Sequence, residues 1–157
     1  MDLLKLTLSK LEKKGITVKN IAKITFDLQK EYNTTITIKS AEEEVLNVIK
    51  KRESINAILT ALLIDEVVEK KLIDKNICKI IDDDDSLYGV DEILALSIVN
   101  IHGSIALTNF GYLDKEKPGI IKKLDILGKE KKQCTTFLDD IVCAIAASAA
   151  SRIAHYK

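Results

Sequence analysis

Tryptophan is absent from this 157-residue chain, proline occurs once, and aromatic residues make up only 4%. No tryptophan is therefore on hand for the interfacial belts that anchor membrane-spanning helices. Cysteine is scarce: Cys78, Cys134 and Cys143 are odd in number and far apart, with no Cys-x-x-Cys pair. That spacing argues against a disulfide framework and a zinc site, and points to a reduced, cytoplasmic setting. Net charge is lacking too, because 24 basic and 24 acidic residues cancel. With no basic cluster interleaved with aromatics, nucleic acid is not an expected partner. The opening MDLLKLTLSKLEKK lacks the basic start, long apolar run and small-residue cleavage site of a signal peptide. It reads as an amphipathic helix. Charge is missing altogether from Ile93 to Leu113, a stretch long enough to span a bilayer. Asn100, His102, Gly103, Ser104, Asn109 and Gly111 interrupt it, and several would be costly in hydrocarbon. A buried helix broken near His102–Gly103 is expected instead.

What is present is a hydrophobic fraction of 46% beside 31% charge, the balance of a soluble globular protein. The expected architecture is an all-α, single-domain multihelical bundle over 1–157, with N-terminal helices over 1–50 and a core over 51–157. Gly15 ends a first helix over 2–14, and Thr17 caps a second. Tyr32 to Ile38 is β-branched and alternating, but has no partner strand and reads as an extended connector. Ser40 with Glu43 forms a capping-box pattern opening a long helical region, which Lys50–Glu53 divides. The second half, near Ser54–Leu72, is expected to pack centrally. A short helix follows at Asp74–Ile81, another begins near Val90, and Pro118 starts a further short one.

The organising segment is FLDDIVCAIAASAASRIAHY, Phe137 to Tyr156. Alanine dominates it, and no charge, proline or glycine interrupts Ile141 to Ser151. Apolar on nearly every face, it is expected as a buried, Ala-rich helix at the centre of the fold.

Two adjacent acids, Asp139 and Asp140, stand at its head. Capping accounts for one of them, since Thr136-x-x-Asp139 matches a capping box and acids suit a helix N-terminus. The other projects about 100° away and needs a cation or hydrogen bonds if buried. Asp91 and Glu92 repeat the arrangement at the head of GVDEILALSI. Convergent carboxylates suit Mg²⁺ or Mn²⁺, which bind phosphates through water and a few acids. Asp114 follows the uncharged stretch, near Lys115, Lys117, Lys122 and Lys123, which offer charge to an anionic head group. The run Asp82–Asp85 fails as an EF-hand loop, because its sixth position is Leu87 and its twelfth Ile93. It is expected to be a solvated acidic loop, and His102 a satisfied core residue.

The ordered motifs Val90-Asp91-Glu92-Ile93, Gly111-Tyr112-Leu113-Asp114-Lys115-Glu116-Lys117-Pro118-Gly119-Ile120 and Phe137-Leu138-Asp139-Asp140-Ile141-Val142 resemble those of the phosphatidylglycerophosphatase A family. The likeness is strongest to its short, soluble Gram-positive branch. It implies a Mg²⁺-dependent phosphatase (with Mn²⁺ as a substitute) that converts phosphatidylglycerophosphate to phosphatidylglycerol. Carried over motif by motif, it implies catalytic roles for Asp91, Glu92, Asp114, Asp139 and Asp140. Metal ligation falls to Asp91, Asp114, Asp139 and Asp140, and substrate binding to Lys115 and Lys117. The Gly- and Pro-rich N-terminal motif of membrane-embedded members is absent. Two other readings stay open: a phosphatase acting on a soluble phosphomonoester, and a non-catalytic helical interaction or regulatory descendant. The expected partners are a phospholipid head group or soluble phosphomonoester, at most a peripheral membrane surface, and a second copy in a homodimer.

Overall fold

The computed structural model describes residues 1–84 and 88–156. Among these residues the chain is all α: α1 (Leu3–Lys13), α2 (Val18–Gln29), α3 (Ile38–Ile49), α4 (Arg52–Glu69), α5 (Lys75–Asp83), α6 (Val90–Val99), α7 (Ser104–Glu116), α8 (Ile120–Lys129) and α9 (Leu138–His155). The single-domain bundle is wound around α9. Helices α2, α3, α4, α6, α7 and α8 all pack against it, while α1 and α5 lean on α4. Fourteen of the eighteen residues of α9 are buried, so no face of it is left for solvent. Its alanines explain the crowding. A methyl side chain lets a neighbouring backbone approach closely, and the Thr25 hydroxyl of α2 donates directly to the Ala146 carbonyl at 3.3 Å. The larger Ile21, Ile58, Ile98 and Leu113 fill the space around the rod. Burying each such side chain contributes about 1.5–3 kcal/mol.

Local chemistry sets most helix ends. Gly15, at φ +80°, follows α1, and the Thr17 hydroxyl accepts from the Asn20 amide to cap α2. Helix α3 begins earlier than its Ser40-x-x-Glu43 pattern suggests. Thr37 is the cap, and Ser40 is the reciprocal third residue of the box. The β-branched connector therefore ends at Thr37, with Ile38 already helical. Asp74 caps α5 through the Asn76 and Ile77 amides. Pro118 precedes α8 rather than opening it, because Gly119 takes the cap position at φ +60°.

The uncharged stretch does break between α6 and α7, with Gly103 at φ +84°. It is not buried throughout: Ile93 is 66% and Leu107 50% exposed on the outer faces. No helix among the described residues is long and apolar enough to cross a membrane. In the acidic run, Asp82 and Asp83 end α5 and pair with the Lys131 ammonium at 3.3 and 3.0 Å. Asp84 closes the helix in the left-handed region, and Asp85 lies outside the described residues. His102 differs from a satisfied core histidine, because its buried Nε2 has no hydrogen-bond partner.

Candidate metal centre

Two helix heads make the site. Helix α6 opens after Gly89, at φ +82°, and carries Asp91 and Glu92 in its first turn. Helix α9 opens after Phe137 and carries Asp139 and Asp140 in its first turn. Because α6 packs along α9, the two acidic heads meet. One carboxylate oxygen from each of Asp91, Glu92 and Asp140 lies within 4.8 Å of the others. Asp91 is 3% exposed and Asp140 4%.

Three acids so close, two of them buried, repel one another when ionised. Burial raises the Asp140 carboxyl to about 10, and the charges of Asp139, Asp114, Asp91 and Glu92 add to the rise. Glu92 is raised as well, by burial first and then by its hydrogen bond and charge contact with Asp91. Asp91 Oδ1 is buried without a hydrogen-bond donor. Leaving such an atom unpaired is costly, and a divalent cation satisfies all three groups together. The donor set is all oxygen, with carboxylates from two helices, which suits a hard ion such as Mg²⁺ or Mn²⁺.

The second acid of the α9 pair does something else. Asp139 turns to Lys117, whose ammonium lies 3.2 Å from Asp139 Oδ2 and 3.3 Å from Asp114 Oδ1. Lys117 is the left-handed cap of α7, at φ +47°, so Asp114 lies one turn before it on the same helix. Burial pushes the Lys117 ammonium down, but the two carboxylates more than offset this and hold it protonated. Burial likewise raises Asp139 to about 7, against the opposing pull of Lys117. A lysine gripped this firmly at 3.2 Å favours the ionised pair, so Asp139 is the acid form's weaker candidate beside Asp140. Lys115 stands exposed on α7, with no ion pair among the described residues. The sequence-derived residues thus separate into a carboxylate triad (Asp91, Glu92, Asp140) and an adjoining ion cluster (Asp114, Lys117, Asp139). Glu92, expected as catalytic but not as a ligand, joins the triad.

Asp65 completes the architecture and was not foreseen. Its carboxylate, fully buried on α4, accepts from the Phe137 amide at 3.1 Å and the Leu138 amide at 2.9 Å. The Cys134 thiol donates to it at 3.6 Å. These contacts cap α9, the role that Thr136 was expected to fill. The Thr136 hydroxyl instead donates to the Ile81 carbonyl at 2.8 Å. A signal existed: Asp65 occupies the buried stripe Ile58, Ala61, Leu62, Val68 at helical spacing. An acid on such a face needs donors from elsewhere in the fold.

Residues 6–155 match the family model described as phosphatidylglycerophosphatase A. The chain belongs to the phosphatidylglycerophosphatase A family. Among its relatives, protein YpjQ of Bacillus subtilis is 49% identical over 98% of this chain and 85% of its own length. Protein YutG of the same organism is 49% identical over 94% of this chain and 87% of its own. The same fold is found in the low temperature requirement C protein of Listeria monocytogenes. Its crystal structure matches with a TM-score of 0.93 at 45% identity, over 99% of this chain and 97% of that one. Membership fits a phosphatase-like fold.

Proposed function

We propose that this protein is a divalent-cation-dependent phosphomonoesterase that releases the terminal phosphate of phosphatidylglycerophosphate to leave phosphatidylglycerol. The observation that carries this reading is the convergence of Asp91, Glu92 and Asp140 within 4.8 Å, two of them buried and one with an orphan oxygen. These three residues hold the cation, Mg²⁺ or Mn²⁺. When bound, it supplies Lewis acidity toward phosphate oxygens and lowers the pKa of a coordinated water. The chain's own part is positioning and charge. Lys117 presents an ammonium, protonated throughout the physiological range, to a phosphate dianion. Asp114 and Asp139 fix where that ammonium points. In the reaction a water oxygen bonds to phosphorus as the bond from phosphorus to the glycerol oxygen breaks. Phosphate departs, and the alcohol oxygen gains a proton.

The test is phosphate release from phosphatidylglycerophosphate in detergent micelles, with Mg²⁺, with chelator, and with Asp140→Asn. Release that needs the metal and disappears in the variant is the expected result. Release that persists in chelator or in Asp140→Asn refutes the reading. A second reading, a soluble phosphomonoester as substrate, is favoured by the absence of a spanning helix among the described residues. Equal turnover of glycerol 3-phosphate and of the lipid would select it.

A further inference from the structure

A groove of about 750 Å³ runs between α2 and the turn joining α7 to α8. Its volume falls in the range of small-molecule sites, about 300–1,000 Å³. The walls are apolar: Ile24, Phe26 and Leu28 on one side, with Tyr112, Leu113 and Ile120 facing them. The turn lies against α2: a Cβ built on Gly119 would be in ordinary van der Waals contact with Ile24 Cγ1, at 3.5 Å. Three lysines, Lys19, Lys23 and Lys123, stand exposed along the groove. Lys19 and Lys23 share one face of α2 at i, i+4 spacing. None of the three has an ion pair among the described residues, and the groove's one acid, Asp27, is paired with Lys30 at 2.8 Å. An apolar trough edged by uncompensated positive charge complements an amphiphile with an acidic head, not a neutral or a fully polar ligand.

Position adds to charge. The groove is lined by Tyr112, Leu113 and Pro118, the residues that flank the segment from Asp114 to Lys117. Leu113 and Pro118 are the chain neighbours of Asp114 and Lys117, so the groove wall and the ion cluster are built on one stretch of chain. We propose that this groove seats an acyl chain of a single anionic glycerolipid, with the phosphate next to its acylated glycerol among Lys19, Lys23 and Lys123. The inference builds on the phosphatase reading and identifies where the apolar part of its substrate rests.

Because the chain has no tryptophan, Tyr112→Trp places the sole indole on the groove wall, at a position 55% exposed. The probe is 1-oleoyl-lysophosphatidate, kept below its micelle concentration and titrated into Tyr112→Trp carrying Asp140→Asn in EDTA. No turnover then intrudes. A saturable blue shift is expected. It weakens at least tenfold in Lys23→Glu/Lys123→Glu and is absent with glycerol 3-phosphate. Lys19→Glu/Lys123→Glu, at positions that are also exposed, serves as a second pair and weakens binding likewise. No shift, an equal affinity for neutral monooleoylglycerol, or unchanged binding in both charge-reversed pairs overturns the proposal. A shift without phosphate release from phosphatidylglycerophosphate leaves the groove standing and removes the phosphatase reading. Release without a shift removes the groove alone.

Discussion

Replacing Asp65 by alanine tests whether α4 sets the head of α9. Two backbone amides, Phe137 and Leu138, lose their acceptor in a site from which water is excluded. Each orphaned buried donor costs about 1–3 kcal/mol, or roughly 4 kcal/mol for the two. Against this stands relief from burying a carboxylate, which the positive end of α9 already softens by up to ~2 kcal/mol. The net loss for Asp65→Ala is then about 2–3 kcal/mol at pH 5, where the acid is largely neutral in the fold, a large share of a stability of about 5–15 kcal/mol.

The pH dependence has a definite sign. Burial raises the Asp65 carboxyl from 3.8 to about 7 in the fold. An acid whose folded pKa is raised contributes most below its unfolded value, and that contribution declines as pH climbs toward 7. The stability gap between wild type and Asp65→Ala is therefore wider at pH 5 than at pH 7.5. Urea unfolding followed by far-ultraviolet circular dichroism measures both points. Asp65→Asn is the companion: it keeps one acceptor oxygen but turns an NH₂ toward the second amide, and should fall between the two. An Asp65→Ala midpoint within ~0.5 kcal/mol of wild type at both pH values would refute the capping argument.

The triad predicts an inversion. Asp140→Asn removes one of three mutually repelling acids, so it should melt above the wild type in chelator. It should then lose the stabilisation that saturating Mg²⁺ gives the wild type, about 2.7 kcal/mol at a hundredfold excess over Kd; a calorimetric scan with and without the metal reads both. Lys117→Met leaves Asp114 and Asp139 facing each other uncompensated. A partly exposed pair of this kind predicts about 1–2 kcal/mol of destabilisation and a fall in kcat, with Lys117→Arg partly restoring both; unchanged kcat in Lys117→Met would show that the ammonium serves packing alone. For His102, burial lowers the pKa from 6.5 to about 4, with Lys51 and Arg152 adding to the fall and Glu44 opposing it. Its neutral form is the one the fold accepts, so stability drains away as pH drops from 6.5 toward 4, and His102→Gln should flatten that part of the denaturation profile.

The central helix was legible because composition alone decides it: eleven residues without charge, proline or glycine must find neighbours on every side. The acid pairs were legible as pairs, since two carboxylates on the first turn of an apolar helix exceed what capping requires. Which member of each pair meets the other was not. Asp139 and Asp140 point about 100° apart, and the rotation of α9 about its axis, fixed by packing, sends one to Lys117 and the other to Asp91 and Glu92. The caps failed for two reasons. At α3, Thr37-x-x-Ser40 and Ser40-x-x-Glu43 compete over one short stretch, and the earlier start prevailed. At α9 the capping oxygen comes from Asp65, more than seventy residues away in sequence, against which a local rule for Thr136 has no defence.

The hub of the bundle is also the helix that leaves the ribosome after α1 through α8. At about 5–20 residues per second, α1 waits on the order of ten seconds, and α8 only roughly one to five, for the rod that their apolar faces were shaped to clasp. During that interval Ile21, Ile58 and Ile98 have water or one another for company. The nascent chain is thus a client for any factor that shelters greasy helices, and assembly comes late and all at once. A stall anywhere before Phe137 withholds the helix against which α2, α3, α4, α6, α7 and α8 all pack.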